Sequence, residues 1–404
     1  MTMRFARGVI DHTRSRVKEL PPCALYVHIP WCIKKCPYCD FNSHALADAL
    51  PEANDLAALL ADLDSARSLL SGRTFASVFF GGGTPSLLAP ATVGTLLTHL
   101  SAQGLLTTDA EITLEANPGT LTEALGEEKL TGFRAAGVNR LSLGIQSFQD
   151  APLAALGRIH DGRAARQAVA LATRIFARVN LDLMYGLPGQ GTVAAALDDV
   201  ETALCFAPQH LSCYQLTLEP NTRFAAFPPP NLPDEDQTAD MGDALAARLA
   251  AAGYQHYETS AWAQPGGTCR HNLNYWRFGD YLGIGAGAHS KLTRLAPEAA
   301  GGLAVFRAAR PRNPAIYRAQ ATTPAAWTEV PADERPFEFL LNALRLAEGF
   351  TPAHYAARTG LPFADLLPRL QTAEAAGLLT CTPERVVPTA QGRRFLNRLL
   401  TLLT

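Results

Sequence analysis

A parallel α/β fold followed by a small helical or winged-helix module is what the sequence predicts, and three observations predict it. From about residue 24, short apolar runs rich in β-branched and aromatic residues alternate with longer helical stretches. That alternation continues to the middle of the chain, and beyond residue 331 it gives way to short helical segments with a small hairpin signal. The expected strands are Leu25–Ile29, Val78–Phe80, Glu111–Glu115, Arg140–Ile145, Asn180–Met184 and Leu211–Leu216. Between them, Asp55–Leu70, Leu121–Ala136, Ala164–Ala177 and Val193–Leu204 have the apolar spacing of amphipathic helices. Strand-plus-helix units in series fit either an open barrel or a doubly wound sheet, and periodicity does not separate the two.

The stretch F-P-P-P-N-L-P (227–233) must be extended because proline rings exclude helix, and a helical stretch, Asp234–Ala252, follows it. Residues 291–331 are rich in Pro, Ala and Arg with weak periodicity and are expected to be a linker. After it, Arg335–Leu346, Pro352–Thr359, Phe363–Ala376 and Gly392–Leu402 read as short helices, with Gly377–Cys381 and Arg385–Pro388 as a two-stranded wing. The expected organisation is therefore an N-terminal arm (1–23), a core (24–290), a linker (291–331) and a C-terminal module (332–404).

Composition narrows the function. A chain of 404 residues with 48% hydrophobic content can bury a large core, and 35 basic against 37 acidic residues leave no global field to recruit nucleic acid. Arg4, Arg7, Arg14, Arg16 and Lys18 crowd the N-terminus without the apolar core of a signal peptide, and no window is apolar enough to span a bilayer. Such an arm is expected to be a solvated tail, with no more than transient contact with a membrane surface, on a cytoplasmic protein. Eight cysteines are too sparse for a disulfide scaffold, and three of them fall within one eight-residue stretch, the pattern of a metal site under reducing conditions.

That stretch, Y-V-H-I-P-W-C-I-K-K-C-P-Y-C-D-F, spaces Cys32, Cys36 and Cys39 as C-x3-C-x2-C in a loop after the first strand. Zinc sites want four ligands and pair their cysteines differently, and no further pair is spaced to complete one. Three thiolates on a [4Fe-4S] cluster leave one iron open, and the methionine end of S-adenosylmethionine can chelate it. One electron then breaks the sulfonium carbon–sulfur bond and yields a 5′-deoxyadenosyl radical. The triplet is similar to the signature of the radical-SAM superfamily, in which Tyr38 before Cys39 also has a counterpart. G-G-G-T-P (81–85), directly after the strand S-V-F-F, resembles the glycine motif that holds the cofactor's amino group, which assigns Gly82, Gly83 and Thr84.

Glu115, Gln146, Arg158 and Asp182 fall at or near strand ends, where barrel enzymes place their chemistry, although each alone is as well explained as a satisfied structural polar group. As a series, with Tyr26, they resemble the cofactor-contacting residues of the coproporphyrinogen-oxidase-like branch. The resemblance implies a partial (β/α)6 TIM-like barrel. It also implies that Asp182 and Gln146 meet ribose or adenosine hydroxyls, that Arg158 faces the cofactor's carboxylate, and that Tyr26 lies nearby.

Two activities compete within that branch: oxygen-independent oxidative decarboxylation of coproporphyrinogen III, and haem delivery by the HemW family of chaperones. The dehydrogenase carries a fourth cysteine two residues after the third, where this sequence has Phe41. The segment C-R-H-N-L-N-Y-W (269–276) resembles the HNxxYW signature of the HemW family, and D-E-R-P-F-E-F-L-L-N-A-L-R-L resembles the branch's accessory domain. His271 is a haem-iron ligand by chemistry, and Tyr275 and Trp276 can pack on a macrocycle; the plainer reading is a loop-bonded histidine beside two core aromatics. Cys269 is a second candidate ligand, although a buried cysteine more often simply packs. His28 is expected either to tune the cluster or to orient its loop. The resemblance implies a chaperone with haem as cargo, acceptor haemoproteins such as respiratory cytochromes, a haem or iron donor protein, and a monomer or homodimer. Cleavage of S-adenosylmethionine is left open, and coproporphyrinogen dehydrogenation is not expected.

Overall fold

The structure is a computed structural model describing residues 19–121 and 123–404, so the basic side chains of the N-terminal arm from Arg4 to Lys18 lie outside the described residues. Six strands, β1 (Cys23–Ile29), β2 (Phe75–Gly82), β3 (Leu106–Ala116), β4 (Arg140–Gln146), β5 (Val179–Tyr185) and β6 (His210–Gln215), pair parallel, each with the next in the chain. A doubly wound sheet reverses its order at a switch point. Here every new strand adds on the same side, so the winding is that of a (β/α)6 barrel.

The sheet does not close. Two short strands, β7 (Gln255–Glu258) and β8 (Ala261–Ala263), extend it antiparallel beyond β6, while β9 (Asp280–Ile284) lies parallel to β1 on the other side. Antiparallel strands β10 (His289–Leu295), β11 (Leu303–Ala309) and β12 (Thr328–Glu329) continue from β9 to complete a twelve-stranded mixed sheet. The expected linker over 291–331 is therefore corrected: three edge strands run through it, with a short helix at Pro314–Ala319. Leu292, Thr293, Leu303 and Val305 are buried there, and intervening Arg and Ala residues hide their alternation.

One face of the parallel strands, with Leu25, Val27, Val78, Phe80, Leu114, Leu141, Leu143 and Leu181, packs against the surrounding helices. These are α1 (Glu52–Ala66), α2 (Pro90–Ala102), α3 (Glu123–Ala135), α4 (Gly162–Ile175), α5 (Val193–Leu204) and α6 (Glu235–Ala251). Helix α2 was not among the expected elements, because Thr92, Gly94, Thr95 and Thr98 dilute its apolar stripe. Asp234 and Gln237 form a reciprocal capping box that starts α6 directly after the proline run. Since side chains alternate along a strand, the opposite face carries Tyr26, His28, Thr113, Glu115, Ser142, Asn180, Asp182, Ser212 and Tyr214 into the barrel interior.

A seven-residue helix, α7 (Arg270–Trp276), leads into β9. The C-terminal module has α8 (Arg335–Ala343), α9 (Pro352–Thr359), α10 (Leu367–Ala375) and a hairpin of β13 (Leu379–Cys381) with β14 (Val386–Pro388). Its own apolar core includes Phe339, Leu340, Phe350, Tyr355, Leu370 and Val386, and it also takes in Phe278 from just beyond α7.

Candidate cluster and cofactor site

Strand β1 ends beneath the cysteine loop, and alternation puts Tyr26 and His28 on its inner face. The Asn42 carbonyl lies 2.9 Å from His28 Nε2 and can only accept, so Nε2 carries the proton and Nδ1 accepts from the Tyr26 hydroxyl at 3.0 Å. Burial holds His28 below its ordinary pKa, with the Asn42 bond working the other way. Of its two expected roles, the contacts display the loop-orienting one. Asn42 in turn donates to the carbonyls of Ala286 and Arg312, both at 2.9 Å, anchoring the far end of the loop to the segments after β9 and β11. The middle of the loop is fastened where Phe224 N–H donates to the Pro37 carbonyl and Tyr38 packs on Phe224.

The glycine stretch runs against this loop. Gly82 has φ +108°, and a Cβ there would lie 2.5 Å from the His28 ring; a Cβ on Gly83 would lie 2.5 Å from the Trp31 carbonyl. Only glycine allows both the left-handed turn and the close approach. In exchange the stretch supplies donors: Gly83 N–H to Ile29 O and Thr84 N–H to Trp31 O, each at 2.7 Å, and Gly82 N–H to Glu115 Oε2 at 3.2 Å.

Each cysteine thiol meets a polar group from a different place. Thr84 Oγ1 donates to Cys32 Sγ at 3.5 Å, Arg158 Nη1 to Cys36 Sγ at 3.6 Å, and Cys39 Sγ lies 3.6 Å from Ser43 Oγ. Burial pushes the Cys32 thiol up, and the Thr84 bond offsets part of that. Among the described residues no three His, Cys, Asp or Glu side chains stand close enough to hold a single ion. A cluster sets a different requirement, because each thiolate binds its own iron. Three thiols in one loop, with donors aimed at two of them, are a donor set that fits it.

The remaining expected residues converge on the same mouth. Glu115 on β3 and Asp182 on β5 are half-buried. Asp182 accepts from Asn180 Nδ2 at 2.8 Å and from Ser142 Oγ at 3.3 Å. Gln146 sits at the end of β4 with φ +69°, a left-handed backbone rare outside glycine, and its Oε1 accepts from the Tyr214 hydroxyl at 2.8 Å. Arg158 donates to Gly144 O at 2.7 Å while its buried Nε has no partner, an unanswered cationic donor suited to a carboxylate. Sequence reasoning missed Asn42, Ser142, Asn180 and Tyr214; for the last three the signal was present, as polar residues two positions apart on the same strands.

Burial foremost, then the charge of Asp182, raises Glu115 to about 8, with the Gly82 N–H opposing. The sign follows: between the ordinary carboxyl range, about 4.3, and about 8, the folded chain holds a proton that the unfolded chain has lost. Stability therefore falls as pH rises through that window. Glu115→Gln is expected to flatten the slope in urea unfolding of the cluster-free chain between pH 5 and 8.5, and an unchanged slope would refute the assignment.

The three residues expected to meet haem separate. His271 is 5% exposed, and its ring stacks on Phe79 at 4.7 Å and lies 6.2 Å from Tyr26 and 5.0 Å from Tyr275, on the barrel floor. Burial lowers it to about 3, so the imidazole is neutral. Tyr275 continues the column onto Tyr281 at 4.2 Å. Trp276 instead lies under the Arg345 guanidinium, 4.8 Å from its ring centroid, at the junction with the C-terminal module. Cys269 is buried, with its thiol and the next backbone N–H both on Glu111 Oε1.

A parallel barrel whose mouth joins a three-cysteine loop to a glycine turn defines a radical-SAM protein, and residues 26–192 match the model of the Radical SAM superfamily while residues 330–395 match that of the HemN C-terminal domain. The solved coproporphyrinogen III oxidase (HemN) from Escherichia coli has the same fold, with TM-score 0.76 and 24% identity over 95% of this chain and 90% of that one. The chain is 46% identical over 385 residues to the haem chaperone HemW of Escherichia coli (strain K12), covering 95% of this chain and 98% of the relative. It is 36% identical over 392 residues to HemW of Mycobacterium tuberculosis (strain ATCC 25618 / H37Rv), covering 95% of each. The chain belongs to the HemW haem chaperone family.

Proposed function

We propose that this chain binds haem and hands it to acceptor haemoproteins such as respiratory cytochromes. The observation that carries this is the near full-length identity of 46% to a haem chaperone, against a likeness to the coproporphyrinogen oxidase that rests on fold alone at 24%. Phe41, standing where the dehydrogenase has a cysteine, supports the same choice.

The proposed cofactor residues follow from the donor set. Cys32, Cys36 and Cys39 would hold a [4Fe-4S] cluster, which when bound supplies an open iron for S-adenosylmethionine and an electron to it. Thr84 and Arg158 donate to two of the thiols and would stabilise them as thiolates. Gly82, Gly83 and Glu115 would face the cofactor's amino group. The unpartnered Nε of Arg158 would take its carboxylate, beside Tyr26, and Asp182 and Gln146 its ribose or adenosine hydroxyls. His271, Tyr275 and Trp276 are proposed to receive haem, and α7 must leave its seat before a macrocycle reaches His271.

The eight cysteines are unpaired, which suits a reducing cytoplasm, and among the described residues no helix is long and apolar enough to cross a membrane. We further propose a haem or iron donor protein upstream, a chain that acts as monomer or homodimer, and units at 24–290 and 332–404 that carry the cofactor chemistry and the accessory role. The test is anaerobic cluster reconstitution followed by parallel assays on one preparation. Stoichiometric haem uptake without decarboxylation of coproporphyrinogen III, given S-adenosylmethionine and reductant, is expected; decarboxylated product would move the chain to haem biosynthesis.

A further inference from the structure

His271 is buried beneath stacked rings, so haem needs a first contact elsewhere on the chain. The outer face of the cysteine loop offers one. Between and beside the cluster cysteines, Ile33 is 49% exposed and Phe41 63% exposed, and Lys34 and Lys35 beside them are exposed as well. Lys35 Nζ donates to the Phe41 carbonyl at 3.1 Å, which folds the lysine back over the aromatic residue's backbone. Apolar and cationic groups thus share one lobe.

The lobe's backbone is held from behind by the Phe224 bond to Pro37 and by Asn42, so these exposed side chains stand on an anchored loop. Among the described residues neither lysine has an ion-pair partner. Several exposed arginines elsewhere do have one, as in Arg174–Glu127, Arg270–Asp109 and Arg394–Asp243. Asp40 is the exposed carboxylate within the lobe, against two lysines, and leaves it cationic. Unpaired cations beside an exposed aromatic and an exposed aliphatic side chain match an amphipathic dianion with a flat apolar body.

We propose that haem docks on this lobe, its macrocycle against Ile33 and Phe41 and its two propionates toward Lys34 and Lys35. The proposal rests on the haem-binding reading above and adds a surface to it. Docking here holds cargo beside the cluster cysteines and outside the barrel, and it requires no movement of α7.

The test is anaerobic titration of the reconstituted full chain with hemin and with hemin dimethyl ester, which lacks the carboxylates, followed by absorbance. Lys34→Glu with Lys35→Glu is expected to weaken hemin about tenfold, the sum of two reversed exposed charges, and to leave the ester within about twofold. Phe41→Ser is expected to weaken both ligands by about fivefold or more, with iron per chain unchanged. If the parent binds hemin and every variant matches it, haem docks elsewhere and the lobe proposal falls alone. If the parent binds no hemin, the haem reading itself falls. A parent dimer in sedimentation that Phe41→Ser splits, with hemin affinity unchanged, gives the lobe to a second copy of the chain and also overturns the proposal.

Discussion

Cys36→Ala is expected to bring iron per chain after reconstitution down to background, with no visible cluster absorbance, while the unfolding midpoint stays within a few degrees of the parent's. Cys36 is half-buried in a loop, and its hydrogen-bond contact is one long bond from Arg158 Nη1, so the fold loses little when the thiol goes. The cluster loses one of three protein ligands, and two thiolates do not hold three irons. Full iron content in the variant would mean that the ligand set is wrong. Serine at Thr84 makes a useful companion, because it keeps the hydroxyl that donates to Cys32 and should assemble a cluster.

Asp280→Ala is expected to be the most destabilising single change outside the site, by about 3–5 kcal/mol. Asp280 has no solvent exposure and accepts from Arg73 Nη1 at 2.6 Å, Lys291 Nζ at 3.0 Å, Thr293 N at 2.6 Å and Thr293 Oγ1 at 2.8 Å. Removing it leaves Lys291, 1% exposed, as a buried cation without a counter-charge, held by the carbonyls of Phe278 and Gly279 and the face of the Phe278 ring. The same residues join β9 to β10 and the C-terminal core through Phe278, so the loss should appear as lowered cooperativity between the two bodies as well as in the midpoint. Arg394→Ala, which breaks an exposed pair with Asp243, should cost about 1 kcal/mol or less in the same urea experiment. Equal effects from the two would contradict the burial argument. Burial alone would raise the Asp280 carboxyl, but Lys291 and Arg73 outweigh it and hold the group below its ordinary range. Its contribution is therefore present above the ordinary carboxyl range and fades as pH falls through the depressed value.

Much of this was legible in the residues. The parallel strands announced themselves because both faces are buried, one by helices and one by the lumen, and their apolar runs stand out from the helical stretches between them. Glu115 and Gln146 were found because each sits at or near the end of such a run, and Asp182 because it interrupts one; the register of neighbouring strands then brings Glu115 opposite Ser142 and Gly144 opposite Asp182. The strands over 289–329 were misjudged for the opposite reason: they lie at an antiparallel edge, where Arg294, Arg307 and several alanines are tolerated and the alternation fades. The pairing of His28 with Asn42 was out of reach, because a loop closed over fourteen residues has no periodicity to read. Trp276 was grouped with His271 through the resemblance to the HNxxYW signature, but α7 lies between the barrel and the C-terminal module, so residues five apart turn to different partners, one to the barrel floor and one to Arg345.

The central claim is that this chain carries haem, and the measurement that tests it most directly is transfer. The reconstituted chain, loaded with one equivalent of haem and freed of excess, is mixed with an apo-form of a respiratory cytochrome, and the two are separated and their haem content read. Haem that moves to the acceptor, at a rate that depends on the intact cluster loop, is the predicted result. Haem that never binds stoichiometrically, or that stays on the chain while coproporphyrinogen III is decarboxylated in a parallel sample, would contradict it.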